Sequence, residues 1–145
     1  LSAGSDTVEI GYRLKDLPDN FCQHLAIEFN FAGLPSRTTG RCFRNKDGLN
    51  LAHLGIHLDL KQISDSSLED DWLNIQAGLD CSVASNGGHA GMWTFPIESV
   101  SQSEGGFELI HQSTVVMPHW IVTPDANGCW DVLIRVSVAD HIVTP

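Results

Sequence analysis

Hydrophobic and polar residues alternate along most of this chain, and a period of two predicts β-strands with one buried face. In the first such segment Val8, Ile10, Tyr12 and Leu14 are hydrophobic, and the residues between them are polar or small. Each of these segments is therefore expected to be a strand with one face toward solvent. The same alternation returns in residues 25–32, 53–60, 73–83 and 130–138.

Two further segments, residues 93–97 and 107–117, are hydrophobic on both faces and predict central strands. No convincing helical stripe is present, because the best candidate, residues 63–72, is short and carries three adjacent acids, which favours a loop. Seven or more strands joined by turns, without helices between them, predict an all-β fold and an antiparallel β-sandwich. The turns are expected where Gly, Pro, Asn and Asp cluster: residues 17–20, 45–48, 85–88 and 124–128.

Length and composition predict a single globular domain over residues 1–145. Hydrophobic residues make up 42% of the chain and charged residues 18%, which argues against disorder. The net charge of −10 has the wrong sign for a nucleic-acid backbone or an anionic membrane. The start of the chain lacks both an initiator methionine and the features of a signal peptide, so we expect a piece of a longer protein.

The four cysteines, Cys22, Cys42, Cys81 and Cys129, are far apart and form no C-x-x-C pair of the kind that zinc sites use. Cys81 is in register with hydrophobic neighbours, which favours a buried free thiol over a disulfide. Free thiols fit a reducing compartment, so the expected location is cytoplasmic.

Polar residues and paired glycines are concentrated in the turn between the two central strands. Two adjacent glycines allow backbone angles that other residues avoid, and they let another surface approach closely. We expect another surface to contact this turn; alternatively, Gln102 and Glu104 satisfy the backbone groups of their own turn. The candidate residues around this turn are Glu98, Gln102, Ser103, Glu104, Gly105, Gly106, Glu108 and Gln112.

A resemblance to a known family rests on this region. The string F-P-I-E-S-V-S-Q-S-E-G-G-F-E at residues 95–108 is followed by H-Q-S-T-V-V-M-P-H-W at residues 111–120 and preceded by A-I-E-F-N-F at residues 26–31. These strings resemble the C-terminal domain of the α-amylase and 4-α-glucanotransferase branch of glycoside hydrolase family 57. The resemblance is strongest over residues 93–120 and looser toward both ends of the chain.

The resemblance implies a sandwich of the galactose-mutarotase-like supersandwich type, packed on an N-terminal barrel that carries the catalytic carboxylates. That barrel is absent from this sequence, so no catalytic residue is carried over and the chain alone is not expected to be an enzyme. No cofactor is implied. The implied partner is the catalytic barrel of the parent protein, with α-glucan as a further candidate. The residues around the turn, together with His111, Glu28 and Asn30, are therefore expected to belong to an interdomain or carbohydrate-binding surface.

Two alternative functions remain open from the residues. An independent starch- or glycogen-binding module would grip sugar through exposed tryptophans; Trp93 and Trp130 are in phase with a core, whereas Trp72 and Trp120 lie at strand ends. A mutarotase-like aldose epimerase would bring a His and a Glu together for proton transfer. Its candidates are Glu28 and Asn30, on one side of a strand, facing His111 or Gln112; polar decoration of a sheet is the simpler interpretation.

No metal site is predicted. His53, His57 and Asp59 would share a strand face, but the two histidines would lie about 13 Å apart at the rise of a strand. The acids between residues 65 and 71 lack the spacing of a calcium loop and are expected to form a solvated loop.

Overall fold

Antiparallel strands without helices make up the part of the chain that the computed structural model describes, residues 6–32, 40–45, 47–103 and 105–141, with Ser103 described by its backbone only. In these ranges the strands are β1 (Thr7–Leu14), β2 (Gln23–Ala26), β3 (Phe29–Ala32), β4 (Arg41–Arg44), β5 (Asn50–His53), β6 (Leu58–Leu60), β7 (Asp65–Asp70), β8 (Ile75–Cys81), β9 (Gly91–Ser103), β10 (Gly106–Val122) and β11 (Trp130–Asp140).

The strands form two sheets packed face to face, which confirms the predicted all-β sandwich. One sheet has six strands in the order β1-β11-β8-β7-β4-β5. The other has five strands, with β2-β10-β9-β6 in order and β3 also paired to β10. The two segments predicted to be central strands, β9 and β10, lie in the middle of this five-stranded sheet.

Two buried tryptophans from opposite sheets occupy the middle of the core. Trp120 on β10 and Trp130 on β11 meet edge to face, with ring centroids 6.0 Å apart. Both are at most 1% exposed. Trp130 was predicted to be core and is confirmed there; Trp120 is core as well, so it is not an open platform at a strand end. Trp72 is 71% exposed.

The predicted turns are confirmed, and local side-chain chemistry explains two of them. Asn45 accepts hydrogen bonds from the backbone N–H of Asp47 and Leu49, and Asp125 accepts them from Asn127 and Cys129. Such side-chain mimicry of a backbone turn is the usual reason that Asn and Asp begin reversals. The predicted buried free thiol is also confirmed: Cys81 is buried and free, and burial raises the pKa of its thiol to about 12.

The strand predicted over residues 53–60 is wrong. The chain leaves the six-stranded sheet at His53, reverses through a turn in which Ile56 donates its N–H to the His53 carbonyl at 3.2 Å, and enters the five-stranded sheet at Leu58. Leu54, buried between the sheets, belongs to the crossover. The alternation of residues 54–60 does not mark one strand face, because Leu54 is buried in the crossover, Ile56 is exposed in the turn, and Leu58 and Leu60 of β6 pack against the core. Residues 25–32 likewise divide into β2 and β3, both paired to β10.

The predicted acidic loop is also wrong, because most of it is the strand β7. Glu69 and Asp70 are 5% and 6% exposed. Asp70 binds Arg41 of β4 with a 2.8 Å Nε–Oδ2 distance, and Glu69 binds Arg44 of the same strand. Two cross-strand ion pairs thus compensate the acids, which a reading of the acids alone could not reveal.

Replacement of Asp70 by Ala is expected to lower the free energy of unfolding by about 3–5 kcal/mol, because it breaks a buried ion pair. It also removes the oxygen that accepts the backbone N–H groups of Trp72 and Leu73 at 3.0 Å. Urea unfolding measures the loss. The matched control is Glu9→Ala, which breaks the exposed ion pair of Glu9 with Arg135 and should change little. Equal losses in the two variants would contradict the assigned role of the buried pair.

Candidate functional site

A projecting hairpin is the most prominent feature of the surface. β9 pairs with β6 only as far as Thr94, and β10 pairs with β3 only from Ser113 onward. Between those points and the turn, the two strands pair only with each other among the described residues. We call residues 97–112 the arm. From residue 97 to residue 103 the strand advances by six residue steps, so the arm is roughly 20 Å long.

The two faces of the arm differ in polarity. Phe31 packs against the core and pairs with Thr114, which in turn pairs with Pro96. Because side chains alternate between the faces of a sheet, the arm residues on the same side as Thr114 and Pro96 form its core-side face. That face carries three hydrophobic residues beyond the end of the six-stranded sheet: Val100 at 66% exposure, Leu109 at 64% and Phe107 at 77%. The opposite face carries Ser99, Ser101 and Glu108, with the two isoleucines Ile97 and Ile110 nearer the base.

The turn predicted as a contact surface lies at the tip of the arm. Gln102, Gly105 and Gly106 are exposed, and Gly106 has a φ of 118°, which favours glycine over any residue with a Cβ. Glu104 lies outside the described residues, and Ser103 is the last residue of β9. The tip is therefore accessible to another surface.

The other candidates of the arm do not converge on one point. Glu98 is paired with His111 on the core side near the base, while Glu108 is paired with Ser101 on the other side. Gln112 lies at a bulge in β10 and donates a 3.0 Å hydrogen bond to the Ser99 hydroxyl across the hairpin. These polar groups thus decorate both faces of the arm, and they do not line a single pocket.

His111 lies at the base of the arm, where it lines a cavity of about 140 Å³ between the sheets. Its Nε2 is 3.2 Å from the Thr114 hydroxyl, and its Nδ1 is buried with no hydrogen-bond partner among the described residues. Burial lowers the pKa of His111, and Glu98 opposes that shift. Arg41 and Asp70 line the same cavity, so its polar wall is the ion pair described above.

Glu28 and Asn30 lie on the opposite face of the five-stranded sheet from His111. Asn30 pairs with Val115 and donates a 2.7 Å hydrogen bond to Glu28, whereas His111 contacts Thr114 on the core side. A sheet thus separates the His and Glu that an epimerase would need in one cleft. The geometry gives that alternative no support.

A cluster that the sequence analysis missed lies on this outer face of the five-stranded sheet. Trp93 stacks on His119 at a centroid distance of 4.1 Å, and its Nε1 donates a 3.2 Å hydrogen bond to Asp59. His24 contacts both rings. Trp93 was predicted to be core, but Met92 and Thr94 are the residues of β9 that face inward, and Trp93 is half-buried on the outside.

The hydrogen bonds of this cluster fix a proton arrangement. His119 is 8% exposed, its Nδ1 is 2.8 Å from Nε2 of His24, and its own Nε2 is buried without a partner among the described residues. A buried N–H group without an acceptor is less favourable than a buried ring nitrogen that carries only a lone pair. The proton of His119 therefore lies on Nδ1, which donates it to Nε2 of His24. Burial lowers the pKa of His119, and the neighbouring His24 lowers it further.

Within the described ranges, no three His, Cys, Asp or Glu side chains are grouped as metal ligands would be. None of the described residues forms a helix that could cross a membrane. The acids that the sequence places together at residues 69–71 are engaged by Arg41, Arg44 and His141.

Comparison with known families identifies the chain. Residues 1–134 match the family described as alpha-amylase/4-alpha-glucanotransferase, C-terminal. The chain belongs to this family. No curated protein and no solved structure shows significant similarity to it. Both the arm and the outer-face cluster lie inside the matched region, and the family is described as a C-terminal domain.

Stability of this amylase/glucanotransferase C-terminal domain is expected to fall as the pH drops below about 6.5. The pKa of His119 and that of His111 are both lowered on folding, so the unfolded chain binds more protons than the folded one in this range. Urea unfolding at several pH values between 7.5 and 5 measures the slope. His119→Gln should reduce it.

The control is Ile134→Val, a core truncation that lowers stability by about 1 kcal/mol at every pH without changing the slope. Ile134 is fully buried and carries no titratable group. An unchanged slope in His119→Gln would show that His119 does not take part in the acid sensitivity.

Proposed function

We propose that this chain is a non-catalytic domain that packs on the catalytic barrel of a family 57 α-glucan-active parent enzyme through the core-side face of its arm. The observation that carries the proposal is the exposure of Val100, Phe107 and Leu109 on that face. Family membership supports the existence of a parent catalytic domain as the partner. Free cysteines are consistent with a cytoplasmic parent.

The exposed face continues the surface that the sandwich elsewhere buries. Along β10, Val116 and Trp120 face the core and are covered by the six-stranded sheet, but Phe107 and Leu109 extend past it. A contiguous hydrophobic patch of this kind in a folded domain marks an interaction site. Burial of each such side chain contributes about 1.5–3 kcal/mol, so three of them supply a substantial part of the energy of an interdomain contact.

The tip of the arm supports the same orientation. Gly105 and Gly106 present little side-chain bulk, so a second backbone can approach closely there. Gln102, on the core side with Phe107, adds an amide that can hydrogen-bond to the partner at the edge of the hydrophobic patch. A hydrophobic centre with a polar rim is the usual composition of such interfaces.

The docking proposal predicts that the arm is protected in the intact parent protein. Backbone amides of residues 97–112 should exchange with deuterium more slowly in the parent than in this chain alone, because the barrel covers them. Phe107→Ser combined with Leu109→Ser in the parent should restore the faster exchange of the isolated chain.

The matched control for that experiment is Leu49→Ser combined with Val83→Ser. Both residues are exposed, at 62% and 49%, and both lie near the end of the sandwich opposite the arm. The control should leave the arm protected. Equal exchange of the arm in the parent and in the isolated chain would rule out docking by this face.

The proposal also predicts that this chain alone neither hydrolyses nor transfers α-1,4-glucan. The parent protein, assayed in parallel on the same maltooligosaccharide, is the positive control. The assignment of a non-catalytic role would be overturned by turnover whose specific rate stays constant when the chain is purified repeatedly.

A further inference from the structure

We propose that the outer face of the five-stranded sheet holds an α-glucan-binding site, in which Trp93 is the stacking platform and Asp59, Lys61 and His24 bind sugar hydroxyls. The choice of α-glucan as the ligand rests on the proposed function. The geometry of the site is independent of the arm, because Trp93 points to the opposite side of the sheet from the arm's hydrophobic face.

The ring of Trp93 is held in place from below. A Cβ added at Gly91 would come within 2.4 Å of the His119 ring, so that ring lies directly against the Gly91 backbone. Trp93 covers His119 with an interplanar angle of 24°. The imidazole therefore contacts both the Gly91 backbone and the indole, and the indole is the more exposed of the two rings. A ring fixed in advance loses little conformational entropy when a sugar stacks on it.

The polar groups beside the ring retain hydrogen-bonding capacity. A carboxylate offers about four acceptor positions. At Asp59, Lys61 approaches both oxygens, at 2.7 Å and 2.6 Å, and Trp93 donates to one of them. About one acceptor position therefore remains, and the ammonium group of Lys61, with three N–H donors, retains about one as well.

His24 supplies a further donor. Its Nε2 accepts the proton of His119, so its own proton is on Nδ1. Its side chain is exposed, as are those of Asp59 and Lys61. Two donors and one acceptor thus surround a flat aromatic surface, which is the combination that binds the hydroxyls and the C–H face of a pyranose ring.

The charges at the site favour a neutral ligand. Asp59 and Lys61 compensate each other, and hydrogen bonding by Lys61 lowers the pKa of Asp59, which keeps the carboxylate ionised as an acceptor. The net charge of −10 repels phosphorylated ligands and nucleic acid. A neutral polyol with flat hydrophobic faces matches the compensated charges of the site and is not repelled by the net charge of the chain.

Affinity electrophoresis of the 145-residue chain in native gels that contain glycogen tests the site. The wild-type chain should be retarded, and Trp93→Ala should abolish the retardation. Trp72→Ala is the matched control, because it removes an indole that is more exposed but lies in a turn of the other sheet. It should migrate like the wild type. Retardation that Trp93→Ala leaves intact, or a wild-type chain that is not retarded, would overturn the proposal.

A second variant covers the case in which Trp93→Ala fails to fold. Asp59→Ala alters an exposed side chain that anchors the indole and offers the hydroxyl acceptor, so it should keep the fold and weaken maltoheptaose binding about tenfold or more in calorimetry. In ¹H–¹⁵N spectra the Trp93 indole resonance, assigned with Trp93→Phe, should shift on addition of maltoheptaose. A shift at the Trp72 indole alone would overturn the proposal.

Failure of this proposal can be distinguished from failure of the docking proposal. Phe107→Ser combined with Leu109→Ser should retain glycogen binding, and Trp93→Ala in the parent should retain protection of the arm. Loss of both properties in either variant would show that the two faces form one site, and it would overturn the independent glucan site.

Discussion

The unequal length of the two sheets determines the main properties of this domain. A sandwich is stable because each sheet covers the hydrophobic face of the other. β9 and β10 extend about 20 Å beyond the last strand beside them, and the six-stranded sheet does not follow them. The inward pattern of hydrophobic residues nevertheless continues into the extension, at Val100, Phe107 and Leu109. Among the described strands, the core pattern therefore continues where no second layer covers it, and this continuation is the basis of the proposed docking face.

Near the β5 edge of the six-stranded sheet, buried ion pairs join two neighbouring strands. There the strand β7 carries acids in buried positions, and the adjacent strand β4 supplies the arginines that bind them. Such pairs contribute less to net stability than an equally well packed hydrophobic contact would, but they define the register, because a shift of one residue would leave charges buried without partners. Asp70 also caps the turn that follows, so the same carboxylate joins the strand pairing to the reversal.

The fold class, the turns and the two central strands were predictable from the sequence, because alternation and turn chemistry are local signals. The crossover at residues 54–57 was not, since the hydrophobic residues of the sequence continue to alternate from Leu54 to Leu60 without a break. β7 was missed because the burial of Glu69 and Asp70 depends on Arg44 and Arg41, more than twenty residues earlier in the chain. The sequence also does not determine which face of β9 carries Trp93, because both faces of that strand are hydrophobic there. Only the pairing with β6 and β10 shows that Met92 faces the core and Trp93 the outside.

Of the candidate site residues, the sequence located the tip of the arm but not the way in which its polar groups divide between two faces. That division has a consequence for how the two proposed surfaces can operate together. Trp93 and Val100 lie on one strand, seven residues or roughly 23 Å apart, and they face opposite sides of the sheet. A barrel docked on the core-side face would leave the outer face open to solvent, so a bound glucan chain and the catalytic domain do not compete for space. Because β9 is a single strand in a pleated sheet, the position of the barrel would also fix the direction from which a glucan held at Trp93 extends.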